Sequence, residues 1–276
     1  MENHGIILIF ACNFQYLKKV IYVSFLLASM MSGLLLHAAP RRLTTQGHAF
    51  LDAFLPQVHA VNQRIAFERK LVLAQVQKFQ QTGMLGPQAW LVMKGLAGKY
   101  HVDTIVPSGP DLEDELSWRM EMLLQRVDII PYEIVAAQAI IESGWGKSSA
   151  AKKTHNYFGI TTTRKGRGFS VTASATTAYF LKEYDHLREG IEDYALILNT
   201  HGAYRIFREL RHQARHELRI PTPHELLPGL IRWSERREAY LAKLALVIDH
   251  YLPAYNQNKQ DIGLEHEPRL WVLKRN

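Results

Sequence analysis

Glu142 is the residue of this sequence best placed for acid–base chemistry. It stands seven residues after Val135 and shares a helical face with Gln138 and Ala139. A helix through this stretch therefore turns its side chain toward the body of the protein. Ser143, Gly144, Trp145 and Gly146 stop that helix. A carboxylate at a helix C-terminus feels the negative end of the macrodipole, and Trp145 offers an apolar wall. Both effects disfavour ionisation and raise the pKa. A carboxylic acid still protonated near neutral pH is what glycosidic cleavage needs, because the departing oxygen must gain a proton as the bond breaks. Taken alone, a glutamate at a helix end serves equally well as surface decoration.

The elements that would hold Glu142 are mostly helical. Pro131 suits the first position of a helix running to about Ile141, since its fixed φ fits there and its missing N–H is not needed. Upstream, Phe54, Val58, Val61, Ile65, Leu71, Val72, Val76 and Phe79 recur at helical spacing, predicting a long helix from near Pro56 to about Gln81. Gly83, Gly86 and Pro87 end it, and Ala89 to Tyr100 forms a second helix. The Pro- and Gly-punctuated stretch 106–110 reads as a boundary, after which Asp111 caps a helix through Val127. Residues 157–182 change character. Their Thr, Val, Tyr and Phe around Gly166 and Gly168 predict a small antiparallel β-lobe. Helices resume over 185–199, 203–217 and 234–251.

Two separated motifs add a resemblance. Gln138-Ala-Ile-Ile-Glu142-Ser-Gly-Trp145-Gly, followed after a basic helix by Asn156-Tyr157-Phe158-Gly159-Ile160, resembles the signature of the bacterial endo-β-N-acetylglucosaminidase-like cell-wall hydrolases of glycoside hydrolase family seventy-three. Tyr184, Glu189, Asp193 and Tyr194, leading into Asn199 and Tyr204, and then Tyr240, Lys243, Leu244 and Ile248 extend it over residues 111–256. The long helical N-terminal region makes the chain look like the Bax branch of that family. The resemblance implies a mainly α, lysozyme-like domain with a small antiparallel β-lobe. It also implies cleavage of β-1,4 bonds in peptidoglycan glycan strands with no metal or organic cofactor. Glu142 then takes the place of the general acid/base, with Gln138, Trp145, Asn156, Tyr157 and Tyr204 as substrate-binding candidates. Asn156 could instead order the backbone entering the β-lobe.

The sequence departs from that pattern in one respect. Some members use a second carboxylate in the β-lobe, yet no Asp or Glu occurs from Ser143 to Lys182. Glu183 is the first candidate for a second catalytic group. A single acid remains sufficient if the substrate's own 2-acetamido oxygen attacks its anomeric carbon. A lytic transglycosylase-like lyase and a catalytically silent wall-binding or scaffold protein also fit a lone acid, and both stay open on sequence.

Charge narrows the partners. The 276 residues carry 33 basic and 26 acidic side chains, a net +7. Between Glu142 and Glu183 all seven charges are positive: Lys147, Lys152, Lys153, Arg164, Lys165, Arg167 and Lys182. Such a block can attract an anionic wall polymer, or can simply be a solvated face. A second run, Arg205, Arg208, Arg211, Arg215 and Arg219, matches no nucleic-acid module, so no nucleic-acid partner is expected. His212 and His216 have the i, i+4 spacing of a metal pair but lack a third ligand nearby in sequence. They are read as surface residues, with no metal site expected.

The first 39 residues read as a leader. Lys18 and Lys19 precede seventeen uncharged residues, Val20 to Leu36, and Ala38, Ala39 and Pro40 follow. This predicts a signal peptide, or an anchor attaching the protein to the membrane through residues 20–36. The expected location is the periplasm or cell envelope. Removing the leader removes the single Cys, Cys12, and leaves 31 basic and 25 acidic residues, or +6. The expected organisation is a leader over 1–39, a helical region over 40–110, a glucosaminidase-like domain over 111–256 and a polar tail over 257–276.

Overall fold

A computed structural model describes residues 43–102, 112–163, 170–174 and 177–257. The leader, the boundary at 106–110 and nearly all of the polar tail lie outside the described residues. The fold is mainly α with one small sheet, as the pattern of periods predicts. Helix α1 spans Thr45–Thr82, α2 Pro87–Lys99, α3 Leu112–Arg126, α4 Tyr132–Ser143 and α5 Ser149–Thr154. Strands β1 (Thr161–Thr162), β2 (Ser170–Ser174) and β3 (Thr177–Leu181) follow, and then α6 Leu187–Thr200, α7 Arg205–His216, α8 Pro223–Leu226, α9 Arg237–His250 and α10 Leu252–Gln257. The sheet is antiparallel in the order β1-β3-β2, pairing Thr161 with Leu181 and Val171 with Tyr179.

Helix α1 starts well before the predicted position. Thr44 caps it by accepting a hydrogen bond from the Gly47 N–H at 3.1 Å, and Pro56 lies inside it. Pro56 removes one helical hydrogen bond. Leu51, Phe54, Leu55 and Val58 flank it and are all buried, so burial on both sides carries the helix through. At 38 residues, about 57 Å long, α1 spans two apolar clusters. Its first half packs with α4, α6, α9 and α10 in the main core. Its second half contributes Val72 and Phe79 to a smaller core with Met93, Tyr100, Met120 and Leu123 from α2 and α3.

Helix α4 is enclosed on every side, with Ile134 through Ile140 all buried. Gly144 in the left-handed conformation ends it (φ 58°), donating its N–H to the Ile140 carbonyl. Ser143 Oγ donates to the Ala139 carbonyl at 2.6 Å and accepts from the Gly146 N–H at 2.8 Å, which tightens the turn after Glu142.

The segment that feeds α4 is fixed by buried charge. Asp128 is 1% exposed and meets three arginines: Arg215 Nε at 3.1 Å, Arg211 Nε at 3.5 Å and Arg69 Nη1 at 3.7 Å. The guanidinium groups also hold backbone. Arg69 donates to the Leu124 and Val127 carbonyls, and Arg211 donates to those of Gln125, Asp128 and Ile129. Asn62 brackets Ile130 with two further hydrogen bonds. Much of the second arginine run is therefore consumed inside the protein. Arg208 is buried on the Leu198 and His201 carbonyls, while Arg205 and Arg219 pair with Glu209, Glu217 and Glu225 at the surface.

Desolvation works to raise the Asp128 pKa, but the three arginines outweigh it and hold the carboxyl well below the usual carboxylate range. A depressed native pKa stabilises the fold above the unfolded-state pKa, and that stability is lost as pH falls toward the native value. Asp128→Asn, which leaves the arginines buried and uncompensated, is expected to cost about 3–5 kcal/mol in urea unfolding at pH 7. It should also flatten the loss of stability that the wild type shows below about pH 4.

Candidate active site

Glu142 occupies the last turn of α4. The residue as a whole is exposed, while neighbouring protein partly desolvates its carboxyl. Two neutral donors converge on one oxygen. Tyr240 OH donates to Oε1 at 2.8 Å, and Trp233 Nε1 donates to the same atom at 3.2 Å. The other oxygen, Oε2, faces Gly159, where an added Cβ would lie 4.0 Å away. The two signature motifs thus meet at the carboxyl. Burial pushes the Glu142 pKa above its ordinary range, opposed by the two hydrogen bonds and by the positive charge of Lys243.

Tyr240 belongs to a directed chain of hydrogen bonds. Tyr194 OH donates to Gln138 Oε1 at 2.5 Å, Gln138 Nε2 donates to Tyr240 OH at 3.0 Å, and Tyr240 OH donates to Glu142. Each bond polarises the next in a site with little water. Burial raises the pKa of both tyrosines, so they stay neutral donors. Aromatic rings enclose the chain. Phe158 stacks on Tyr194 at 4.0 Å, Trp233 meets Tyr194 edge-on at 5.4 Å, and Tyr204 lies 5.7 Å from Trp233.

Among the other candidates, Asn156 takes the backbone-ordering position that is one of its two expected roles. Gln138 is fully buried and donates to Tyr240 OH, which it orients. Asn156 is also buried. It donates to the Ile160 and Lys182 carbonyls and accepts from the Ile160 N–H, clipping β1 to the exit of β3. Trp145 packs edge-on against Tyr251 at 5.3 Å and beside Gly47, and the indole on the Glu142 carboxyl is that of Trp233. Tyr157 is half-buried against Phe50 and Phe54. Tyr204 is the candidate that does join the group, its pKa pushed up to about 12 by burial.

Glu183 is exposed, and no described hydrogen bond ties it to Glu142 or its donors. The side chains on either side of it, Lys182 and Tyr184, both reach Asp193, at 2.7 and 2.6 Å. Lys182 is therefore taken from the one-sign block. Lys147, Lys152 and Lys153 are exposed, and Arg164, Lys165 and Arg167 lie outside the described residues.

Sequence reasoning missed Trp233. Its only local signal is an indole alone in a Pro- and Gly-bearing linker between predicted helices. Gly229 brings that linker in, because a Cβ there would fall 2.3 Å from the Phe207 Cα on α7. The larger described cavity, about 400 Å³, lies by the opposite end of α4, lined by Ile129, Pro131, Tyr132 and Arg215 among others. Glu142 is not among the residues lining that cavity.

A mainly helical domain presenting one partly desolvated carboxyl among neutral aromatic donors has the build of a glycoside hydrolase. The family profile described as mannosyl-glycoprotein endo-beta-N-acetylglucosaminidase matches residues 119–251. The chain is 30% identical over 223 residues to Protein bax of Escherichia coli (strain K12), covering 81% of this chain and 73% of that protein. It is 30% identical over 89 residues to the exo-glucosaminidase LytG of Bacillus subtilis (strain 168), covering 30% and 31%. A solved peptidoglycan hydrolase from Sphingomonas sp. A1 aligns with 50% of the chain and 85% of its own, at 23% identity and a TM-score of 0.35. The chain belongs to the Bax-type, glucosaminidase-like family of glycoside hydrolases.

Tyr240 donates to the ionised form of Glu142, so removing its hydroxyl disfavours that form. In a carboxyl-carbon NMR titration, Tyr240→Phe should move the Glu142 midpoint further up by about one pH, with Glu142→Gln identifying the resonance.

Proposed function

We propose that the protein is an exported enzyme that hydrolyses the β-1,4 bond of peptidoglycan glycan strands beside N-acetylglucosamine, with Glu142 as general acid and then base. The observation that carries this reading is the Glu142 carboxyl itself, raised in pKa and gripped through Oε1 by two neutral donors. Because Oε1 accepts both hydrogen bonds, the proton of the acid form belongs on Oε2, on the side of the Gly159 loop. A glycosidic oxygen placed there takes that proton as the C1–O bond breaks. The substrate's 2-acetamido oxygen closes on C1 to give a cyclic intermediate. Water then opens that intermediate, returning a proton to Glu142 through general base action. This single-carboxylate route is preferred because no Asp or Glu occurs from Ser143 to Lys182, and a substrate-assisted displacement needs only one acid.

Three things support the substrate class. The signature motifs resemble cell-wall hydrolases, one relative is an exo-glucosaminidase, and the exposed Lys147 and Lys152 add positive charge on the segment following Glu142. Trp233, half-buried beside the carboxyl, is the ring proposed to pack on a sugar face, with the buried Tyr204 behind it. The leader over residues 1–39 delivers the enzyme across the cytoplasmic membrane to that substrate.

The test is digestion of purified peptidoglycan, followed by release of reducing ends and mass spectrometry of the fragments. Wild type should yield reducing N-acetylglucosamine termini, and Glu142→Gln should lose at least about 100-fold in rate while keeping its fold. Near-normal cleavage by Glu142→Gln would remove Glu142 from the chemistry. Anhydro-sugar termini would mean a lyase, and binding to the wall without release of ends would mean a silent scaffold.

A further inference from the structure

The expectation that His212 and His216 lack a third ligand fails in three dimensions. Helix α3 brings Glu121 up to both imidazoles. Glu121 Oε1 lies 2.5 Å from His212 Nε2 and 3.1 Å from His216 Nε2, and the two nitrogens are 2.8 Å apart. These three residues are a group whose ligand atoms all fall within 4.8 Å of one another. We infer that Glu121, His212 and His216 form a binding site for one divalent transition-metal ion of the zinc type, clamping α3 to α7.

Hydrogen bonding alone does not satisfy this triangle. A neutral imidazole nitrogen either donates or accepts. If both Nε2 atoms donate to Glu121, their N–H groups collide across 2.8 Å. If one histidine donates to the other, the accepting nitrogen turns a lone pair toward a carboxylate oxygen. A cation facing all three lone pairs satisfies the three contacts together. Zinc holds such ligands at about 2.0–2.2 Å, which spaces them by about 3.3 Å in a tetrahedron. The triangle therefore has to open by less than about 1 Å from its present edges.

The side chains have the freedom to do so. Glu121 and His216 are 50% and 55% exposed, while His212, at 16%, anchors the site. The i, i+4 spacing on α7 keeps both imidazoles on one face. A glutamate carboxylate offers an anionic oxygen at neutral pH, and a neutral imidazole offers a nitrogen lone pair. Two imidazoles and one carboxylate suit zinc, cobalt, nickel or copper better than magnesium or calcium, and leave the fourth position to water. The site lies in the last two turns of α7, about 12–18 Å along the helix from Tyr204. Its role is to fasten, from outside, the α3–α7 contact that Arg211 and Arg215 secure from within.

Isothermal titration of untagged, metal-free protein with zinc chloride tests this, with cobalt chloride as a spectroscopic probe. The wild type should bind one zinc saturably, gain melting temperature, and show the intense visible absorption of four-coordinate cobalt. Glu121→Gln, at an exposed position, should keep the metal-free melting temperature and circular dichroism yet weaken zinc binding at least about tenfold. The double variant His212→Ala/His216→Ala should abolish the cobalt spectrum. No saturable zinc binding by the wild type overturns the proposal. Binding left unchanged by these substitutions also overturns it, because the metal would then sit elsewhere.

Discussion

A carboxyl proposed to act as a proton donor has to give up water without gaining a cation in close contact. That constraint organises the molecule around Glu142. A guanidinium at hydrogen-bond distance would satisfy the carboxylate and drive its pKa down, as happens at Asp128. At Glu142 the donors are a phenol and an indole, and the only compensating charge of note comes from Lys243, without a described ion pair. Hydrogen bonds from neutral groups orient the carboxyl while leaving desolvation as the larger effect.

Meeting that constraint requires residues far apart in sequence. Tyr240 and Trp233 lie 98 and 91 positions beyond Glu142, so α9 and its linker must return to the end of α4. Gln138, one turn before Glu142, prevents Tyr240 from turning elsewhere, and Tyr194 on α6 holds Gln138 in turn. The other end of α4 is secured differently. There the chain through residues 124–130 is pinned by Asn62 and Arg69 of α1, Asn199 of α6, and Arg211 and Arg215 of α7. Burying so much charge gains little net stability over an apolar core, but it allows few alternative registers. Ionic fastening at one end of α4 and neutral fastening at the other follow from what each end has to do.

Much of this was legible in the sequence, and the rest was hidden for identifiable reasons. Helices announced themselves through 3.6-residue periodicity and through Gly and Pro at their ends, and Glu142 through its place on the inward face of α4. The start of α1 was misjudged at Pro56 because local propensity yielded to burial on both sides of the proline. Gln138 and Asn156 show that motif membership does not reveal whether a side chain meets substrate or scaffold; both are buried and serve geometry. Trp145 and Trp233 differ for a related reason. Proximity in sequence favoured the first, and only the packing of the linker against Phe207 brings in the second. The burial of the arginine run is invisible locally because its counter-ion, Asp128, lies more than 80 residues away, and Glu121 is hidden as a partner of His212 on the same account. Pairings of that span leave no mark in a local pattern.

The central claim is that one desolvated carboxyl, held by Tyr240 and Trp233, delivers the proton. The most direct measurement is the pH dependence of kcat/KM on purified glycan strands, set beside a direct titration of Glu142 in the same protein. The account predicts an alkaline limb whose midpoint coincides with the Glu142 titration, above the ordinary carboxylate range. A rate that stays flat through the Glu142 midpoint, or an alkaline limb displaced from it, would contradict the account.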